Sequence, residues 1–396
     1  AQCLVGSEMC IRDRFNNKYI SALLLAAMAA PSLHADVKGR DKELTYVMEN
    51  PYEVSVIEAP KGNKVKNVIL MIGDGMSLCH IQSAWSANRG KLFLDNAQYT
   101  GLSKTNCLDK LITDSGAGGT ALASGKKTKY HSVGVDGEGN PAKSLVEYAK
   151  DKGMSSGVAV TCRLWDATPA DFCCHVVDRE MEDQIMAQYV DTKADVVVGP
   201  GWSKMINRKD GRDLFKELQA KGFKTPRSLD EMAKIKSGKV FCVTDSFDTQ
   251  LPAVRGNYLE RAALQAINVL DKNPNGFFLM IEGSQLDDYG HFNDIDLLMQ
   301  ETHDFDRTVG AIFDWAAKDG ETLVVVTADH ETGGLTLVDG DLEQGKIVCK
   351  FSTGGHSGTM VPIYAFGPGS ENFTGIIDNT DVAKNIMKLL NIEFEK

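Results

Sequence analysis

Short, unbroken apolar runs recur along the chain: NVILMIGDG at 67–75, GVAVTC at 157–162, DVVVG at 195–199, KVFCVTD at 239–245, FFLMIEG at 277–283, LVVVTAD at 323–329 and VPIYAFG at 361–367. None alternates with polar residues, so each predicts a strand buried on both faces of its sheet. Helical patterns fall between them at 178–190, 258–270, 299–317 and 381–390. This alternation predicts an α/β fold with a doubly wound, mostly parallel central sheet and helices on both faces. No repeat, low-complexity tract or Pro/Ser-rich linker interrupts it, and residues 36–396 are expected to form one domain.

Residues 15–35, FNNKYISALLLAAMAAPSLHA, carry one cation at Lys18, an apolar stretch from Ile20 to Ala30 and a small residue at Ala35. That layout is expected of a secretory signal, cleaved after Ala35, and the stretch is too short for a membrane anchor. Residues 1–14 resemble a translated sequencing adapter, so both segments are set aside from the functional reading. Export to a periplasmic or secreted location is the expectation.

Charge narrows the partners. Lys and Arg total 43 against 54 Asp and Glu, a net −11 that opposes nucleic acid as a partner but leaves small anions open. Nine cysteines become seven once Cys3 and Cys10 are set aside; no CxxC pair exists and Cys173 and Cys174 are adjacent. Mostly buried free thiols are expected.

Ligands in doubly wound sheets bind beyond the carboxyl ends of the strands. There stand Asp74, then Asp166 and Thr168, then Glu282 with Asp287 and His291, then Asp329 and His330, with His356 after a further strand. Singly, each reads as readily as a helix cap or a hydrogen-bonded core group. Together they would crowd one crevice with repelling carboxylates unless cations sit among them. Mixed His and carboxylate sets suit zinc, and all-oxygen sets suit Mg²⁺. Asp287 and His291 are spaced to face one ion, whereas the adjacent Asp329 and His330 can share one only on an irregular segment.

A second cluster, TDSGAGGTALASG at 113–125, places Ser115 at the start of a helical run. There free N–H groups and the helix dipole favour an anion, although an ordinary Ser cap fits the same pattern. The small residues behind it would let a substrate approach the backbone. A hydroxyl held there beside a divalent cation is nucleophilic.

The strings NVILMIGDGMS, TDSGAGGTALASG, DATPADFCCHVVDR, MIEGSQLDDYGHFND, VTADHETGGL and GGHSGTMVPIYAFGPG, in this order across residues 66–392, resemble the alkaline phosphatase family. The resemblance implies a metal-dependent phosphomonoester hydrolase that forms a phosphoserine on Ser115 and releases phosphate from many small phosphomonoesters. It implies two Zn²⁺ and one Mg²⁺ per subunit. Asp287, His291 and His356 would hold one zinc and Asp74, Asp329 and His330 the other. Thr168 and Glu282, with Asp74 and a water on Asp166, would hold Mg²⁺. Arg179 would grip two phosphate oxygens, as the guanidinium fork allows. A homodimer, inhibition by product phosphate, and no large insertion between His330 and His356 are also implied. Asp288 falls where relatives often carry Lys, His or Trp, so a looser hold on phosphate is expected. No Cys/Ser-x-Pro-x-Arg motif surrounds Ser115, which opposes a sulfatase, and a zinc-storage protein needs neither Ser115 nor Arg179.

Overall fold

All seven apolar runs become strands of a single sheet. The computed structural model describes residues 42–62, 64–206 and 208–395; the expected leader and adapter-like segments lie outside the described residues. The nine strands run, in spatial order, β14 (Gly375–Asp378), β3 (Tyr99–Lys104), β13 (Val361–Phe366), β8 (Thr322–Thr327), β2 (Asn67–Gly73), β7 (Phe277–Gly283), β4 (Ser155–Val160), β5 (Val196–Gly199) and β6 (Val240–Val243). Every pairing is parallel except those of β13, which is antiparallel to both β3 and β8. The α/β class and the mostly parallel sheet are as the sequence predicts.

The unbroken apolar pattern has a direct cause. Along β2, Ile69 and Met71 enter the core on one face, while Val68, Leu70 and Ile72 enter the core on the other. Each such side chain removed from water contributes roughly 1.5–3 kcal/mol. Helices Leu78–Ala87, Tyr258–Leu270 and Ile295–Asp319 supply the first core; Ser115–Ser124, Leu145–Asp151 and Asn379–Leu389 supply the second.

Helix edges differ from the sequence reading at three places, the least of them a shift of 381–390 to Asn379–Leu389. The long helix starts at Ile295 rather than 299, because the Asp294 side chain accepts from Leu297 N–H and caps it there. The pattern at 178–190 is a helix only over Glu182–Gln188, with a 3₁₀ turn at Tyr189–Asp191; residues 178–181 instead form a loop that presents Arg179. Two strands, β14 at the sheet edge and its neighbour β3, were not legible as apolar runs. Between His330 and His356 the chain forms β9 (Glu331–Thr332), β10 (Leu335–Asp341) and β11 (Lys346–Phe351). Strands β10 and β11 join β1 (Leu44–Val47) in a small sheet, while β9 pairs with β12 (His356–Ser357). The seven cysteines among the described residues are free thiols, five of them buried.

Parallel register decides where the polar residues meet. Glu282 on β7 lies opposite Ile72 on β2 and Val160 on β4, and Ile72 lies opposite Thr327 on β8. The carboxyl ends of β8, β2, β7 and β4 therefore open side by side, and the residues just beyond them share one crevice.

Candidate active site

Ser115 is the first residue of the Ser115–Ser124 helix and does not cap it. Asp114 is the cap: its carboxylate accepts from Gly116 N–H at 3.2 Å and Ala117 N–H at 3.3 Å. The Ser115 hydroxyl is left to face His330, Oγ to Nε2 at 3.2 Å. The small residues behind it serve packing. A Cβ on Gly118 would meet Asp329 O at 2.8 Å, one on Gly116 would meet Ser132 O at 2.8 Å, and one on Gly119 would run into the Asp171 carboxylate. They thus bring the helix against the Ser132, Asp329 and Asp171 segments.

Asp329 and His330 do share one point, on the irregular segment between β8 and β9. His330 Nε2 lies 3.1 Å from Asp329 Oδ2 and 3.4 Å from Asp74 Oδ1. Asp329 Oδ1 accepts from the Gly75 and His330 N–H groups at 3.2 and 3.0 Å, which fixes the carboxylate. Asp74 and Glu282 are less well served. Among the described residues, Asp74 Oδ1 and Glu282 Oε1 are buried without a hydrogen bond, and Asp329 Oδ2 faces only the His330 imidazole. Burial, reinforced by Asp329, Asp287 and Glu282, pushes the Asp74 carboxyl well above the usual range. Glu282 is raised by burial and then by Asp166 and Asp329. For Asp329, burial pushes upward, but His330 beside it leaves a net lowering.

The second group is closer to neutral. Asp287 and His291 lie on the Gln285–His291 helix, one turn apart. Asp287 Oδ2 lies 3.2 Å from His291 Nε2, and Oδ1 lies 3.4 Å from His356 Nε2. The two imidazole Nε2 atoms stand 3.1 Å apart. Their outer nitrogens bond to the Gly354 and Thr113 carbonyls, each at 2.8 Å, which aims both Nε2 atoms inward. Burial opposes ionisation of Asp287, yet His291 and His356 hold its carboxyl well below the usual range. Asp287 in turn lifts His291 to about 9.

Two sets of three ligand atoms among the described residues lie within 4.8 Å of one another: Asp287, His330 and His356, and Asp74, Asp329 and His330. His291 adjoins the first set. Unpartnered buried carboxylate oxygens beside imidazole nitrogens are the donor set a divalent cation takes, so these residues fit metal. Thr168 extends the second set, its Oγ1 3.4 Å from Asp74 Oδ2. Asp166 is turned otherwise: it caps the Ala167–Asp171 helix and pairs with Arg179 and Arg163.

Arg179 is held by two acids, Nη1 3.0 Å from Asp114 Oδ2 and Nη2 2.8 Å from Asp166 Oδ1. Its backbone N–H donates to His131 O at 2.8 Å, which fixes the loop. Sequence reading missed three contributors: Asp114, Arg163 and Thr332. Thr332 Oγ1 donates to Asp287 Oδ1 and lies 3.2 Å from His330 Nδ1, linking the two groups. Only its place two residues after His330 hinted at this.

Comparison with known proteins agrees with the geometry. The alkaline phosphatase family model matches residues 65–352 and 343–392. The chain is 32% identical to alkaline phosphatase 3 of Bacillus subtilis, over 85% of this chain and 92% of that protein. Among solved structures it is similar to alkaline phosphatase from the Antarctic bacterium TAB5, with TM-score 0.80 and 36% identity over 84% of this chain and 100% of that one. A His-to-Asp variant of the TAB5 enzyme with Mg bound matches with TM-score 0.79 and 35% identity, over 85% of this chain and 99% of that one.

Proposed function

The chain belongs to the alkaline phosphatase family and is a metal-dependent phosphomonoester hydrolase; from that premise we propose how its residues divide the work. Ser115 is the nucleophile. The observation that carries this is its place as first residue of a fully buried helix whose cap is another residue, with Oγ facing His330 at 3.2 Å. Asp287, His291 and His356 hold one zinc, and Asp74, Asp329 and His330 hold a second. Thr168, Glu282 and Asp74 would hold Mg²⁺, with Asp166 serving it through a water. Bound there, the cations supply Lewis acidity and neutralise developing negative charge.

Ser115 Oγ, its proton lost to base at alkaline pH, attacks phosphorus in line; the P–O bond to the leaving group breaks, the departing alkoxide takes a proton from water, and phosphoserine forms. Arg179 binds two of those oxygens through its fork and favours a dianionic terminal phosphate over a diester. Water then attacks from the opposite side and frees Ser115, so two inversions give net retention at phosphorus.

The remaining parts of the proposal are export by a signal over 15–35, a homodimer, and inhibition by product phosphate. No described helix is long and apolar enough to cross a membrane. Asp288, next to Asp287, adds negative charge near His291 and loosens the hold on phosphate.

The deciding experiment compares p-nitrophenyl phosphate with bis-p-nitrophenyl phosphate at alkaline pH, using residues 36–396 supplied with Zn²⁺ and Mg²⁺. A strong monoester preference, erased by chelation and reduced at least about 10⁴-fold in Ser115→Ala, is expected. Diester preference would remove the role given to Arg179. In the same assay Asp288→Lys should tighten inhibition by free phosphate, and unchanged inhibition would end that part of the reading.

A further inference from the structure

A line of alternating charge runs away from the nucleophile: Asp114, Arg179, Asp166, Arg163, Asp248. Asp166 stands at its centre with both oxygens engaged. Oδ1 takes Arg179 Nη2 at 2.8 Å and its own helix's Ala167 N–H at 2.8 Å, while Oδ2 takes Arg163 Nη2 at 3.0 Å. Arg163 is fixed from behind. Its Nη1 reaches both Asp248 oxygens at 3.3 and 3.2 Å, and its backbone N–H donates to Asp248 Oδ1 at 2.8 Å. Its guanidinium also lies 4.9 Å from the centre of the Phe247 ring, which packs edge-on against Trp165.

A carboxylate beside one guanidinium prefers to take it bidentately. Asp166 is prevented from doing this to Arg179, because Arg163 draws its second oxygen the other way. The Arg179 fork is thereby kept split between Asp114 and Asp166 rather than folded onto one of them. We propose that Arg163, anchored by Asp248, is a positioning residue that keeps Arg179 available to phosphate by holding the second oxygen of Asp166 away from it, so that Asp166 engages the fork through Oδ1 alone. This rests on the reading that Arg179 grips the phosphoryl group. Arg163 itself touches no substrate.

The test is a double-mutant cycle on the metal-supplied enzyme. Arg163→Met keeps the length of the stem and removes the charge. It should raise KM for p-nitrophenyl phosphate and the inhibition constant of inorganic phosphate together, by about 10-fold, with kcat changed far less. In an Arg179→Ala background the same substitution should move neither constant. Arg163→Lys, which restores the charge but not the fork, should recover part of the loss. Equal effects in both backgrounds, or a lowered melting temperature with unchanged phosphate inhibition, would overturn the proposal. Asp248→Asn frees Arg163 without removing it; should Arg163→Met fail to fold, this variant decides, with a smaller shift in the same direction expected and no shift overturning the idea. Absence of monoesterase activity in the parent chain would instead strike at the role of Arg179, and the proposal would fall with it.

Discussion

Glu301 and Asp304 are buried as deeply as Asp74 and Glu282, with 1% and 3% of their surface exposed against 7% and 0%, yet the two clusters are balanced differently. Arg255, itself buried, lies 2.7 Å from Glu301 Oε2 and 2.8 Å from Asp304 Oδ2, and its other nitrogen reaches Glu301 Oε1 at 3.0 Å. Nearby Asp306 accepts from Tyr52 Oη–H at 2.6 Å and from the Phe93 and Leu94 N–H groups at 2.9 and 3.0 Å. These acids are satisfied within the chain. Among the described residues, Asp74 and Glu282 each keep a buried oxygen that accepts no hydrogen bond. Burial of acid alone therefore does not mark a functional site; acid whose compensation must come from outside the chain does.

The largest expected effect breaks the internally balanced cluster. Arg255→Met should destabilise the protein by about 3–5 kcal/mol in denaturant unfolding, since two buried acids lose their cation. The loss should be the same with metal supplied or stripped. A loss confined to one condition would show that the clusters are not independent.

Next comes pH. One guanidinium shared by two buried acids does not fully offset their burial. Burial, the larger influence, lifts Glu301 from 4.5 to about 7 despite Arg255, and Asp304 adds to the rise. The folded carboxyl then binds its proton more tightly than the unfolded one. Native stability should therefore fall as pH rises from 4.5 toward about 7. Glu301→Gln should flatten that slope, by about 3 kcal/mol between pH 4.5 and 8. Parallel curves for the two proteins would remove Glu301 as the cause.

The smallest effect is the most telling, because its sign reverses. Asp74→Asn should raise the stability of the metal-stripped chain by about 1–2 kcal/mol, as one of several mutually repelling carboxylates is lost. With metal supplied it should lower stability. Melting curves in chelator and in Zn²⁺ read both, and a shift of one sign in both conditions would place Asp74 with the structural acids.

How much of this was legible depended on how local each cause is. The strand NVILMIG could be read because all seven of its residues are buried, which demands an unbroken apolar run. Tyr258–Leu270 appeared with its observed bounds because its helical period is undisturbed. The strand YTGLSK escaped because only one of its residues is buried. The pattern at 178–190 misled because the start of the segment is set by Arg179 reaching Asp114 and Asp166, 65 and 13 residues away. Site residues at strand ends stood out for the same reason as the strands. Arg163 and Arg255 did not, since their partners Asp248 and Glu301 lie 85 and 46 residues on.

The division of labour between Asp114 and Ser115 has a further consequence. The hydrogen bonds that start the helix come from the Asp114 carboxylate, so the helix start does not depend on the hydroxyl of the buried residue after it. On the proposed roles, replacing the Ser115 hydroxyl would leave the helix its beginning and the crevice its ligand set. Reactivity at this position would then be evolutionarily cheap to lose: a single codon change would convert a turnover machine into a phosphate receptor of the same architecture, and the reverse step would be equally short.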